Sequence, residues 1–132
     1  MPPRPSIGTR WPATDLSKKS QPLVRGAVVW VDFSPTRGRE QRGTRPALVV
    51  ASPGYLASVR DLVVVLPLTS VDRGWPHHVP VRGAQINLAK PSFAMTEQPR
   101  TIAKERIARQ AGQADRQTLT VVDQWLRDFL GL

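Results

Sequence analysis

The sequence predicts a mainly β fold with one helix: a small, mostly antiparallel barrel or half-barrel against which a C-terminal helix packs. Three observations carry that expectation. Short β-branched runs, each closed by proline, glycine or serine, recur from Arg25 onward. A helical period appears only at the C-terminus, where Leu119, Val122, Leu126, Phe129 and Leu130 fall on one face. The 132 residues suffice for one domain with a core of its own.

The elements follow in order. Residues 1–22 hold five prolines and no period of 2 or 3.6, and read as a disordered basic arm ahead of a domain over 23–132. Ala27, Val29, Val31 and Phe33 alternate with Val28, Trp30 and Asp32, which predicts a strand with one well-buried face. An Arg/Gly-rich loop runs from Ser34 to Arg45. Ala47 to Ala51 is a continuous apolar run, read as a buried strand that Ser52-Pro53-Gly54 breaks. Asp61 to Leu68 is a third strand, closed by Thr69 and Ser70. His77 to Val81 is a short strand that Pro76 and Pro80 confine to an edge. Phe93 to Thr96 and Ile107 to Ala111 carry weaker strand patterns. Asp115 is placed to cap the final helix and Gly131 to stop it. Strands followed by a single helix lead to the packed-sheet architecture.

Composition narrows the function. The formal charge is +9, and both the segment up to Arg25 and the remainder are positive, which favours a polyanionic partner such as nucleic acid. There are no cysteines, so disulfides, thiolate catalysis and cysteine-bound zinc are excluded. The longest apolar runs are too short to span a bilayer, and the N-terminus lacks the apolar stretch of a secretory signal. A cytoplasmic protein with no membrane contact is expected.

Chemistry-bearing residues concentrate beside the strands. The loop before the second strand carries Arg37, Arg39, Glu40, Gln41, Arg42 and Arg45. Guanidinium groups present a planar fork of donors suited to phosphate oxygens. Pro46 keeps Arg45 extended at the mouth of the next strand. Thr69 and Ser70 offer two hydroxyls that can hold a phosphate oxygen or merely make a turn. Gln98, Arg100 and Thr101 are candidates to line a groove, or a surface turn around Pro99. Trp75 offers a stacking platform for a base, or packs under its own loop. His77-His78 invites an acid–base reading, but successive strand residues point to opposite faces, so one site using both rings is not expected. No other metal-ligand spacing accompanies the pair. Neither a metal nor a cofactor is expected.

At this point the chain resembles the MazF/PemK toxin family. Arg25 to Asp32 (RGAVVWVD) is similar to that family's opening strand, and Glu40 to Val50 (EQRGTRPALVV) to its signature loop and second strand. Leu66 to Ser70 (LPLTS) and Glu97 to Ile102 (EQPRTI) resemble two later segments. The chain departs from the pattern at Ala27, at Arg39 and in the arm before Arg25. The resemblance implies an SH3-like barrel of the MazF/PemK/CcdB type, a homodimer, and sequence-selective cleavage of single-stranded RNA held in check by an antitoxin. It implies catalytic roles for Arg45 and Thr69, with Glu40 as the acidic residue of the signature, and RNA contacts from the neighbouring residues named above. Two rivals stand beside it: a gyrase-poison toxin of the CcdB type and a non-catalytic nucleic-acid-binding barrel.

Overall fold

The computed structural model describes residues 22–33 and 43–132. The arm and the loop residues Arg37, Arg39, Glu40, Gln41 and Arg42 lie outside the described residues. Among the described residues seven strands form one antiparallel sheet: β1 (Ala27–Asp32), β2 (Thr44–Val49), β3 (Leu62–Thr69), β4 (His78–Pro80), β5 (Phe93–Met95), β6 (Arg100–Ala103) and β7 (Ile107–Gln113). Their order is β4-β5-β3-β2-β1-β7, with β6 also paired to β3. Helix α1 (Pro53–Ser58) joins β2 to β3, and α2 (Arg116–Leu130) closes the chain.

Strand β3 organises this sheet. One edge pairs with β2, while the other pairs with β6 along Leu62 to Val65 and with β5 at Leu68 and Thr69. Its two halves therefore feed two differently directed parts of the sheet. Two register shifts between β1 and β7 add curvature, as bulges do. The result is barrel-like but not closed, in keeping with the half-barrel expected from the sequence.

The core explains why so many runs are apolar without alternation. Val29, Val31, Ala47, Val49, Val63 and Val65 pack in one cluster with Tyr55 and Leu56 of α1 beside it. Val28, Leu48, Leu66 and Leu68 pack in a second, under Val122 of α2. The opening strand is thus buried on both faces, not on one. Val28 and Val29 are both fully buried.

Helix α2 begins where the capping residue predicts. The Asp115 carboxylate accepts the Thr118 N–H at 2.8 Å. Gly131 adopts the left-handed conformation at φ 73° and ends the helix, a geometry that a Cβ disfavours. Leu119, Val122 and Leu126 face the sheet, whereas Phe129 and Leu130 at the end of the stripe stay exposed. An ion pair from Arg25 to Asp123 ties the helix to the turn before β1, and Arg25 Nε also donates to the Val50 carbonyl at 3.2 Å.

Two elements escaped the sequence reading. Ser52-Pro53-Gly54 starts α1 instead of only breaking a strand: the Ser52 hydroxyl accepts from Tyr55 N–H at 3.0 Å and Pro53 occupies the first turn. Strand β6 is short and its first two residues are exposed, so it carries little hydrophobic pattern. Strand β2 also starts earlier than its apolar run, because Thr44, Arg45 and Pro46 already pair with β1.

Candidate active site

The extension of β2 bears directly on the site. Arg45 stands opposite Val31 in β1. On the other side, β2 and β3 pair with Ala47 opposite Pro67, and the same register carried two residues further matches Arg45 with Thr69. Both residues line one groove of about 510 Å³ at this end of the sheet.

The groove has a consistent chemistry. Trp30, Pro46, Leu68 and Met95 supply apolar walls, Thr69, Ser70 and Ser92 supply hydroxyls, and Arg45, Arg73 and Lys90 supply positive charge. No acidic side chain is among these lining residues. Arg109 adds a further cation behind the wall, its guanidinium carbon 5.1 Å from the centre of the Trp30 ring. Such a groove attracts an anion and offers it forked donors.

The two central side chains are poised differently. Arg45 is exposed, and among the described residues nothing pairs with its guanidinium. Thr69 Oγ1 accepts the N–H of Val71 at 3.1 Å. That bond fixes the hydroxyl oxygen and leaves its proton to donate. Thr69 is itself anchored by pairing with Phe93 of β5.

Not every expected site residue joins this groove. Ser70 does. Arg100 and Thr101 lie on β6, opposite Val65 and Val64, and the Arg100 guanidinium sits over Phe33 at 4.7 Å. Neither lines the groove. Gln98 is in the turn after β5, where its amide donates to Glu97 at 3.2 Å and contacts the Met95 sulfur at 3.7 Å. Trp75 is 47% exposed and stacks on His77, next to the groove residue Arg73. Conversely, the sequence did not single out Trp30, Arg73 or Lys90. Trp30 read as a member of a strand, and Arg73 and Lys90 sit in segments without period. Only the wrapping of the 70–92 segment around the β3 end brings them together.

The two histidines also behave unexpectedly. The divergence foreseen for successive strand residues does not occur, because His77 lies in the turn ahead of β4 and only His78 is in the strand. Both rings meet Glu97: His77 Nε2 is 3.6 Å from Oε1, and His78 Nε2 is 3.0 Å from Oε2. Burial alone would raise the Glu97 carboxyl, but hydrogen bonds from His78, its own backbone N–H and Gln98 outweigh that and hold it below the usual glutamate value.

Comparison with known proteins identifies the family. Residues 24–130 match the family described as PemK-like, MazF-like toxin of type II toxin-antitoxin system. The chain is 31% identical over 107 residues to the endoribonuclease toxin MazF of Escherichia coli, covering 80% of this chain and 92% of that one. It is 31% identical over 111 residues to endoribonuclease EndoA of Bacillus subtilis, covering 83% and 96%. A chain in the crystal structure of MazE-MazF (Form-II) from Deinococcus radiodurans superposes with a TM-score of 0.72 at 29% identity, over 86% of this chain and 99% of that one. The match spans every described element, from the first strand to the last turn of α2, and this chain belongs to the PemK-like, MazF-like toxin family of type II toxin–antitoxin systems.

Proposed function

We propose that this endoribonuclease toxin cuts single-stranded RNA, sequence-selectively and without a metal ion, with Arg45 and Thr69 holding the scissile phosphate. The observation that carries the reading is the shared groove, which both the Arg45 guanidinium, on a strand-held backbone, and the hydrogen-bonded Thr69 hydroxyl line. Cleavage of RNA by its own 2′-OH forms a bond from that oxygen to phosphorus and breaks the bond from phosphorus to the 5′-oxygen. A proton leaves the 2′-OH and another reaches the departing 5′-oxygen. Negative charge grows on the phosphate oxygens in between, and preorganised donors aimed at it lower the barrier. Arg45 supplies the charge and Thr69 a neutral hydrogen bond. Glu40 takes the 2′-OH proton or orients Arg45 through an ion pair. The products are a 2′,3′-cyclic phosphate and a 5′-OH, and DNA is inert because it lacks the nucleophile.

The rest of the groove holds the strand. Arg73 and Lys90 follow the phosphates, Ser70 adds a donor, and Trp30 and Trp75 offer faces for unstacked bases. Arg37, Arg39, Gln41 and Arg42 precede Arg45 in the chain and extend the same basic character. Gln98, Arg100 and Thr101 serve a longer strand, beyond the groove itself. A cognate antitoxin restrains the activity; the family is one of type II toxin–antitoxin systems, and the related Deinococcus radiodurans structure is of MazE-MazF. The working form is a cytoplasmic homodimer. Among the described residues no helix is long and apolar enough to cross a membrane.

The experiment is direct. End-labelled single-stranded RNA and its DNA counterpart are incubated with the protein in excess EDTA, and the product ends are mapped. Discrete RNA fragments with cyclic phosphate termini and intact DNA are expected. Binding without cleavage would replace the enzyme by a nucleic-acid-binding barrel.

A further inference from the structure

The cluster formed by His77, His78 and Glu97 has no part in the RNA-cutting site. It joins two stretches that the sequence separates by 19 residues: His77-His78 at the start of β4, and Glu97 in the connection after β5. One donor atom from each residue can be chosen so that all three lie within 4.8 Å of one another. The two measured imidazole–carboxylate separations are 3.0 and 3.6 Å. Zinc bonds of about 2.0–2.1 Å place tetrahedral ligand atoms ~3.3 Å apart. Those two separations straddle that value, and no two of the chosen donor atoms are more than 4.8 Å apart, so the three groups are close enough to converge on one ion.

A second observation sets this cluster apart from an ordinary surface ion pair. The His78 side chain is only 3% exposed, and its Nδ1 is buried with no hydrogen-bond partner among the described residues. Glu97 is the polar group that meets the other nitrogen of the ring. His77 and Glu97 are more open, 25% and 30% exposed, which gives an ion a route in and leaves a fourth position for water.

We propose that His77, His78 and Glu97 form a site for one divalent transition-metal ion of the zinc class. Two imidazoles and one carboxylate are the donor set such ions prefer, and it is poor for the hard ions that favour all-oxygen cages. The ion is not a catalyst for the RNA reaction, because Arg45 and Thr69 lie in the separate groove. Its effect is on that groove's wall. His78 stands opposite Met95 in the β4–β5 pairing, and Met95 lines the groove. Trp75 stacks on His77 and carries the Arg73 guanidinium at 5.5 Å, and Arg73 also lines the groove. Metal binding therefore fastens the segment that follows Thr69.

The chain contains two histidines and no cysteine, which makes the test clean in untagged protein. Zinc is titrated into the full chain in competition with a chromophoric indicator, and cobalt is titrated separately while its visible absorption is read. One zinc per chain and a tetrahedral cobalt spectrum are expected. His77→Ala and Glu97→Gln each remove a ligand and should weaken zinc binding by about tenfold or more, since loss of even an outer-shell partner costs that much. Both side chains are partly exposed, so the fold survives, and circular dichroism checks it. No zinc binding, or binding equal in wild type and either variant, would overturn the site. The titration does not involve RNA, so it stands or falls apart from the proposed cleavage.

Discussion

Arg45 and Thr69 come from neighbouring antiparallel strands, each two residues beyond the last β2–β3 pair, Ala47 with Pro67, and line the same groove. Each is fixed by a rigid element: Arg45 by its pairing with Val31, Thr69 by Phe93 on its other side. That arrangement makes the assignment of Arg45 as the charge-stabilising group directly testable. Arg45→Ala should cut the single-turnover cleavage rate by about 10²–10³, roughly 3–4 kcal/mol, because it removes a donor aimed at charge that grows only in the transition state. Affinity for RNA should change little, and Arg45→Lys should rescue poorly, since an ammonium lacks the planar fork. Single-turnover rates measured beside binding constants check both parts.

Thr69→Val should lower the same rate by less, because it deletes a neutral donor. Thr69→Ser should recover most of it. The Val71 N–H, which the Thr69 oxygen accepts, loses its partner in the valine variant, so the melting temperature is recorded as well.

Arg73→Ala and Lys90→Ala probe the groove as a binding surface. Each should weaken RNA binding and reduce the slope of log affinity against log salt by about 1, with little loss of rate at saturating RNA. Titrations at several salt concentrations read this. A rate loss equal to that of Arg45→Ala would make the groove a diffuse surface with no privileged arginine.

The cap of α2 predicts a pH dependence. Hydrogen bonds from the backbone and side chain of Thr118 hold the Asp115 carboxyl below its ordinary value. A depressed folded-state pKa stabilises the fold above the unfolded value, and the effect is lost as pH falls through the folded one. Asp115→Ala should therefore lower the melting temperature at neutral pH, and the gap to wild type should close as pH drops below about 4. Thermal melts across pH 2–7, a range set by that ordinary aspartate value, check the sign.

The core has its own test. Leu66 is fully buried under α2, in the cluster that includes Val28, Leu48 and Val122. Leu66→Ala should cost about 2–5 kcal/mol, read by denaturant titration.

What the sequence by itself determined is local. The apolar, β-branched runs at 27–31 and 62–68 and the 3.6 period from Leu119 to Leu126 each name their element, although the expected one-faced burial of the first strand gave way to burial on both faces. Asp115 and Gly131 marked both ends of α2 through their own backbone preferences. Side-chain chemistry made the arginine after a glycine-bearing loop and the hydroxyl at the end of β3 candidates for phosphate contact, beside the plainer readings of a basic loop and a turn. Tertiary structure decided the rest. Only strand pairing places Arg45 with Thr69, and only the path of residues 70–92 adds Arg73 and Lys90 to that groove while Arg100 and Thr101 face elsewhere. The meeting of His77, His78 and Glu97 was hidden for the same reason. A turn one residue longer than the strand pattern suggests swings both rings to one side, and the carboxylate arrives from 19 residues further along the chain.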